Sequence, residues 1–117
     1  MSAKVYVVQN QHRWDREKNV FTPKYDLSSA KAYGELVDLL TPTASPFNSE
    51  PVVKELQDKL AWFGDEDSLL LVGNPVLIGC SVAIAAQVNK GKVAMLQWSG
   101  TDRRYVRVLV EVAPKSF

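Results

Sequence analysis

Cysteine is almost absent from this chain, and neither sign of charge is in clear excess. Cys80 is the only cysteine, which excludes an internal disulfide and leaves no cysteine-rich zinc site. Fourteen Lys and Arg stand against thirteen Asp and Glu, a net charge of +1, so no global field attracts nucleic acid or an acidic membrane. A reducing compartment fits this composition, and we expect a cytoplasmic location.

Long hydrophobic runs are also missing. The most apolar segment, residues 76–88, contains Gly79, Ser81 and Gln87 and is shorter than the roughly twenty apolar residues that span a bilayer. Residues 1–4 show no charged leader followed by an apolar signal core. We therefore expect neither membrane insertion nor secretion.

The size and the residue types are those of a globular domain. The 117 residues are enough to enclose one core and too few for two ordinary ones. Hydrophobic residues make up 46% of the chain and charged residues 23%, and no segment is polar and repetitive enough to indicate disorder. We expect a single domain over residues 1–117.

The first third of the chain predicts strands followed by a helix. Residues 4–9 and 19–22 are rich in β-branched and aromatic residues, and the connection between them either closes a long hairpin, which is favoured, or forms a surface loop. From Ser28 the spacing of apolar residues predicts a helix that Ser28 caps and Pro42 ends. The apolar face of this helix would consist of Tyr33, Leu36, Val37 and Leu40.

The middle of the chain predicts a β-α-β unit. A second helix is predicted over residues 49–63 with Ser49 as its cap. The apolar run at residues 68–72 is typical of a central strand covered on both faces. A third helix over residues 76–88 and a strand over residues 92–98 follow, and together they predict a right-handed crossover between two parallel strands.

The last segment predicts an antiparallel hairpin. Residues 99–103 are turn residues, and every second residue from Val106 to Val112 is valine, which predicts a final strand over residues 104–112 with one face in water, at a sheet edge. The expected fold class is α/β: a small domain with a mixed sheet that includes residues 4–9, a parallel β-α-β crossover, a C-terminal antiparallel hairpin and about three helices. The order of the strands stays open.

The turn at Gly73, Asn74 and Pro75 is a candidate anion site. It leads from a strand into a helix N-terminus, where many α/β proteins bind phosphate groups, with Asn74 as cap and Pro75 at the first helical position. Gly73 and Gly79 are too far apart for a dinucleotide fingerprint, and no Lys-Ser or Lys-Thr pair follows to form a P-loop. A structural turn is the favoured interpretation, and an anion site at Gly73 and Asn74 is the alternative.

Arginine and aromatic residues gather in the terminal hairpin and the early loop. This arginine–aromatic cluster consists of Trp14, Arg16, Trp98, Arg103, Arg104, Tyr105 and Arg107, with Arg13 beside it. The same residue types anchor protein interfaces and stack on single-stranded nucleic acid, although an edge hairpin also carries charges merely to stay soluble. The leading hypothesis is a non-enzymatic protein that binds a protein partner, or a second copy of itself, through this surface. The alternative is binding of nucleic acid or a nucleotide through the cluster or the Gly73 turn.

No catalytic site, metal site or cofactor is predicted. His12 is the only histidine, and nothing places an orienting carboxylate and a nucleophile beside it. Cys80 is expected on a buried helix, where a thiol is inert. Asp65, Glu66 and Asp67 precede the central strand, which favours a solvated turn over a metal site. A small hydrolase that uses His12 or these acids is the weakest hypothesis.

Five segments spread through most of the chain carry a resemblance. They are residues 23–28 (PKYDLS), 39–47 (LLTPTASPF), 70–75 (LLVGNP), 96–100 (LQWSG) and 102–105 (DRRY). In these segments the chain resembles a group of small uncharacterised α/β proteins encoded by tailed bacteriophages, including marine ones. The resemblance implies a viral accessory protein that acts inside an infected bacterium, directed at the host or associated with replication. It transfers no functional residue.

Overall fold

A computed structural model describes residues 2–112, so that residue 1 and residues 113–117 of the predicted domain lie outside the described residues. The elements of the described part are β1 (Lys4–Gln9), β2 (His12–Asp15), β3 (Val20–Pro23), a 3₁₀ helix (Ser28–Tyr33), β4 (Glu35–Leu40), α1 (Ser49–Lys59), β5 (Ser68–Leu70), α2 (Pro75–Val88), β6 (Lys92–Ser99) and β7 (Arg104–Glu111). One five-stranded sheet has the order β4-β1-β5-β6-β7, and β2 and β3 form a separate two-stranded ribbon. The predicted α/β fold class is confirmed.

The sheet is mixed, as the sequence predicts. β1 runs parallel to β4 and β5, β5 runs parallel to β6, and β7 pairs antiparallel with β6 at the edge. Leu70 of β5 lies opposite Val7 of β1 and Leu96 of β6, and every residue of β5 is buried. The apolar run at residues 68–72 therefore marks the central strand, because only a strand covered on both faces can bury consecutive apolar side chains.

The two faces of the sheet are covered unequally. On one face α1 and α2 bury their apolar side chains against Tyr6 and Leu69. On the other face the 3₁₀ helix contacts β1, β4 and β7, and Leu27 and Ala30 pack on Val7 and its neighbours. Two helices thus close the first face, whereas a single short helix leaves the second face open toward the carboxyl ends of β5 and β6.

The first predicted helix is wrong. Only residues 28–33 are helical, as a 3₁₀ helix, and residues 35–40 form strand β4. Gly34 separates the two with φ +150, and a Cβ there would lie 2.5 Å from the Ala3 carbonyl oxygen. Parallel pairing with β1 prevails over the helical spacing, because it satisfies the backbone of an edge strand while Leu39 and Leu40 become buried in the core.

The predicted long hairpin is also wrong. β1 pairs with β4 and β5, and residues 12–15, predicted as part of the connection, form β2 and pair with β3. β1 consists of side chains that are fully or almost fully buried after Lys4, so it belongs in the interior of a sheet. Residues 12–23 are too polar to be covered there and pair with each other outside the main sheet.

The starts and ends of the helices differ in detail from the predictions. The predicted cap at Ser28 is wrong, because Ser28 is the first residue of the 3₁₀ helix and Leu27 is at the N-cap position without a side-chain cap. The Ser28 N–H donates to Asp26 Oδ1 (2.9 Å) just before the helix. α1 begins at Ser49 without a side-chain cap and ends at Lys59, and Phe63 packs in the core beyond its end. Among the helices of residues 2–112, none combines the length and the apolar character needed to cross a membrane.

Candidate functional site

A groove of about 560 Å³ opens on the less covered face of the sheet. Its lining consists of Gln11, Tyr25, Asp26, residues 70–73, residues 96–98 and Tyr105. The carboxyl ends of β5 and β6 form the floor, and the segment before the 3₁₀ helix forms one wall. Sites of roughly 300–1,000 Å³ with mainly apolar and aromatic lining and a few polar groups are typical binding sites.

The groove lies beside the point where the connections of the sheet change direction, which falls between β1 and β5. Gln11, just after β1, and residues 70–73, at the end of β5, line the groove on that side. From β1 the chain proceeds to β4 on one side, and from β5 it proceeds through α2 to β6 on the other. The carboxyl ends of two such neighbouring strands form a crevice, which is the usual ligand site of open α/β sheets. The Gln9 N–H donates to the Val72 carbonyl (2.9 Å) and holds the two strand ends together there.

Aromatic side chains form the wall of the groove on β6 and β7. Trp98 and Tyr105 are cross-strand neighbours that meet edge to face, with ring centroids 5.1 Å apart. Tyr105 is buried, whereas Trp98 is 47% exposed and Tyr25 in the opposite wall is 45% exposed. The Tyr33 hydroxyl donates to the Tyr105 carbonyl (2.7 Å) and fixes this wall to the 3₁₀ helix. An exposed ring supported by a buried ring is a rigid apolar surface.

The polar side chains of the groove include the Asp26 carboxylate, the phenols of Tyr25 and Tyr105 and the Gln11 amide. Hydrogen bonds from the Ser28 side chain and then from its backbone hold the pKa of Asp26 below its ordinary 3.8. Burial, and then the negative charge of Asp26, raise the pKa of Tyr105 above 10.0. At neutral pH the groove therefore presents an ionised carboxylate and a neutral phenol. Gln11 adds an uncharged donor and acceptor.

A buried glutamine connects the loops around the groove. Gln9 is 5% exposed, and its Nε2 donates to the carbonyls of Thr41 (3.2 Å) and Ala44 (3.2 Å). Its Oε1 accepts the Asn74 N–H (3.2 Å). Gly73 beside it has φ +131, and a Cβ there would lie 2.6 Å from the Gln9 Cβ. One side chain thus joins the loops that follow β1, β4 and β5.

The predicted anion turn uses its backbone donors within the chain. The Asn74 N–H donates to Gln9, the Val76 N–H donates to Asn74 Oδ1 (2.9 Å), and Pro75 has no N–H. The predicted helix cap at Asn74 is thereby confirmed. Gly73 lines the groove, so the turn shapes the site, and anion binding by Gly73 and Asn74 stays a prediction.

The structure divides the arginine–aromatic cluster among three places: the groove, the ribbon and the start of β5. The members at or next to the groove are Trp98, Arg103, Arg104 and Tyr105. Trp14 lies on β2 and Arg16 in the turn that follows it, and neither lines the groove. The groove and the ribbon are therefore two different surfaces.

Arg107 of the cluster is directed toward the start of β5. Its Nε donates to Ser68 Oγ (3.0 Å), and a terminal nitrogen donates to the carbonyls of Asp65 (2.6 Å) and Asp67 (3.3 Å). These hydrogen bonds tie the edge strand β7 to the central strand. Arg107 thus has a structural role besides any contact with a partner.

Replacing Arg107 with alanine should lower the free energy of unfolding by about 2 kcal/mol. The Ser68 hydroxyl and two carbonyls lose a charged donor, and water replaces part of that interaction because the site is only partly buried. Urea denaturation followed by circular dichroism measures the loss. Arg107→Lys keeps the positive charge but lacks the planar guanidinium, so it should retain only part of the stability lost in Arg107→Ala. An unaltered urea midpoint in Arg107→Ala would contradict the structural role.

The remaining sequence candidates lie apart from the groove. His12 begins β2 and is exposed. Cys80 is half-buried on α2, so the expectation of a buried thiol is wrong, because one side of α2 is left uncovered by the core. Asp67 accepts the N–H groups of Lys4 (2.9 Å) and Gly64 (3.0 Å) in a turn. Within the described part of the chain, no three His, Cys, Asp or Glu side chains group as metal ligands would.

Sequence reasoning does not single out Gln9, Tyr25 or Asp26. Gln9 is the last residue of β1 and follows a run of buried apolar residues. A polar residue at the carboxyl end of a buried parallel strand indicates the edge of an α/β sheet where ligands bind. Tyr25 and Asp26 lie on a connection without a periodic pattern. Only the fold, which leads that connection across the sheet, brings them to the groove.

A family model described as Phage Pam3 gp32-like protein matches residues 3–112. The match includes every strand and helix of the described residues and the whole lining of the groove. Comparisons with curated proteins and with solved structures give no match.

Proposed function

The chain belongs to the Phage Pam3 gp32-like protein family, and on that premise we propose that it is a non-enzymatic phage accessory protein that binds a protein partner through the groove. The partner inserts a large apolar or aromatic side chain between Trp98 and Tyr25. The floor beneath this position is formed by apolar residues of β5 and β6 and by Val72.

One observation supports this proposal above the others: two half-exposed aromatic rings stand over an apolar floor at the crevice of the sheet. Trp98 and Tyr25 are 47% and 45% exposed, and the buried Tyr105 supports Trp98 from behind. Binding energy at protein interfaces concentrates in a few such aromatic anchors. Covering them removes apolar surface from water at about 25 cal/mol per Å².

Four of the five segments that carry the sequence resemblance meet at the groove. They are residues 23–28, 70–75, 96–100 and 102–105, which come from three distant parts of the chain. Packing in the core does not account for Tyr25 and Trp98, since both are half exposed. Exposed rings beside an apolar floor are what a binding surface requires.

The charges around the groove favour one orientation of the partner. Asp26 is ionised at neutral pH and accepts hydrogen bonds, so it suits an N–H donor or a cation of the partner. Arg103 and Arg104 are exposed next to the Trp98 end and suit a carboxylate. Complementary charges of this kind set specificity and the rate of association more than affinity.

Substituting Trp98 with alanine should deplete the captured partner by about tenfold or more, because hot-spot aromatic residues contribute on the order of 2 kcal/mol or more. Tagged wild-type protein and variants are incubated with bacterial lysate, with and without nuclease treatment, and the bound material is identified, the proteins by quantitative mass spectrometry. Trp62→Ala is the matched control, since Trp62 is 91% exposed and lies outside the groove.

A protein held by the wild type and by Trp62→Ala but lost from Trp98→Ala supports the proposal. Equal capture by all three proteins would place the contact elsewhere and sink the groove as the binding site. Recovery of nuclease-sensitive material alone would contradict binding of a protein. Circular dichroism of each variant verifies that the fold is kept.

A further inference from the structure

The ribbon formed by β2 and β3 is a second surface beside the groove: Gln11 and Tyr25, which flank it in the chain, line the groove, whereas its two strands do not. Its strands pair with each other and not with the five-stranded sheet. Every residue from 12 to 24 is exposed or half-buried, and at the base the Lys24 N–H donates to the Gln11 carbonyl (2.7 Å). The side chains of the ribbon are thus not required by the core and are accessible to a ligand.

Two aromatic rings stand on one face of this ribbon. Trp14 and Phe21 are cross-strand neighbours that meet edge to face, with centroids 5.1 Å apart. They are 48% and 68% exposed. The edge-to-face contact stabilises the ribbon and leaves other ring faces open to a planar group.

The ribbon also concentrates positive charge. Residues 12–24 contain four Lys or Arg and two Asp or Glu, a net charge of +2, whereas the whole chain has +1. The cations are Arg13, Arg16, Lys18 and Lys24. The ion pair found among residues 2–112 is Lys59 with Glu55, so the four cations have no acidic partner there. Asp15 instead accepts turn N–H groups through Oδ1, including that of Lys18 (3.2 Å).

From this juxtaposition of unpaired cations and exposed rings we propose that the ribbon binds single-stranded nucleic acid. Trp14 and Phe21 stack on bases. Arg16 and Lys18, in the turn that joins the strands, contact phosphates, and Arg13, which strand alternation places on the face opposite Trp14, adds positive charge to the ribbon. The Lys24 ammonium lies over the Tyr25 ring, 5.5 Å from its centroid. Single strands offer base faces next to phosphates, which is the combination that aromatic rings and cations bind.

Other polyanions fit this surface less well. A double helix presents base edges in its grooves and keeps base faces stacked, so it would engage the cations and leave Trp14 and Phe21 without partners. An acidic protein segment would likewise pair with the cations without needing flat ring surfaces. Stacking is therefore the feature that the test must detect.

Fluorescence anisotropy of a labelled oligothymidine of about twenty nucleotides tests the proposal on the full chain. Contacts with two or three phosphates should weaken binding about tenfold between roughly 50 mM and 200 mM salt. Trp14→Ala should weaken it about tenfold at fixed salt, because a stacked base contributes about 1–3 kcal/mol. The double variant Arg13→Gln/Arg16→Gln should weaken binding and flatten the salt dependence.

Matched variants separate this surface from the groove and from loss of structure. Trp14→Leu keeps an apolar neighbour for Phe21 but lacks the indole ring, and it should bind as weakly as Trp14→Ala. Trp62→Ala and Trp98→Ala should bind like the wild type. Equal affinity for a duplex, no binding at the lower salt concentration, or loss of binding in Trp98→Ala would each overturn the proposal. Capture of a protein through the groove is unaffected by any of these results.

Discussion

Replacing Gly73 with alanine should lower the free energy of unfolding by about 3 kcal/mol or more. A φ of +131 strains any residue with a Cβ by about 1–3 kcal/mol. The new Cβ would also lie 2.6 Å from the Gln9 Cβ and 3.2 Å from the Gln9 carbonyl oxygen. Neither atom can move away freely, because both belong to the end of a buried strand, so the loops that frame the groove must shift.

Urea denaturation of Gly73→Ala measures this loss, and Gly79→Ala is the control. Gly79 lies in α2, where an added Cβ meets no atom within 4 Å, and alanine is favoured over glycine in a helix by about 1 kcal/mol. Replacing glycine with alanine should therefore stabilise the protein at position 79 and destabilise it at position 73. Equal stability of Gly73→Ala and the wild type would disprove the close approach of the Gly73 turn to β1.

Replacing Gln9 with leucine should cost about 2–3 kcal/mol. Leucine fills similar space, so the loss arises from polar groups left without partners and not from a cavity. These are the carbonyls of Thr41 and Ala44 and the Asn74 N–H. Gln9→Glu keeps an acceptor for Asn74 and should lose part of this stability through the missing donors.

Hydrogen exchange of the Asn74 amide reports the same contact locally. Its protection should fall in Gln9→Leu and be retained in Gln57→Leu, an exposed position of α1 where the change should stay within about 0.5 kcal/mol. If the Asn74 amide of Gln9→Leu exchanges as slowly as in the wild type, Gln9 does not connect the loops as described.

The β5-α2-β6 unit and the terminal hairpin could be predicted from the sequence, because the local secondary-structure preferences of these residues agree with their tertiary packing. Asn74 and Pro75 favour a helix start that the structure uses, and β5 has the continuous apolar pattern of a buried strand. In β4 the two preferences conflict. Residues 35–40 have the spacing of a helix face, and only pairing with β1, which the sequence does not display, makes them a strand.

The candidate site was accessible only in part, for a related reason. Trp98 and Tyr105 are adjacent in one hairpin, so the sequence alone brings them together. Gln9 and Asn74 are 65 residues apart, and Tyr25 reaches Trp98 through a connection whose course depends on the whole sheet. Contacts that depend on strand order cannot be predicted from local sequence patterns, because the order of the strands depends on how the complete sheet is buried.

The groove and the ribbon make separable predictions about the same molecule. The groove combines an apolar floor with the Asp26 carboxylate, whereas the ribbon combines two exposed rings with a net charge of +2. Variants at Trp98 and Trp14 should therefore affect different ligands. Such a division would let one small protein hold a protein partner and a nucleic-acid strand at the same time.

Site-specific photo-crosslinking in phage-infected bacteria tests the central claim, binding of a protein in the groove, most directly. A photoreactive phenylalanine analogue replaces Tyr25, which lines the groove, and in a second protein it replaces Trp62, which does not. We predict a discrete protein adduct from position 25 that is absent from position 62 and is lost when Trp98→Ala is added. No adduct from position 25, or the same adducts from both positions, would contradict the groove as the binding site.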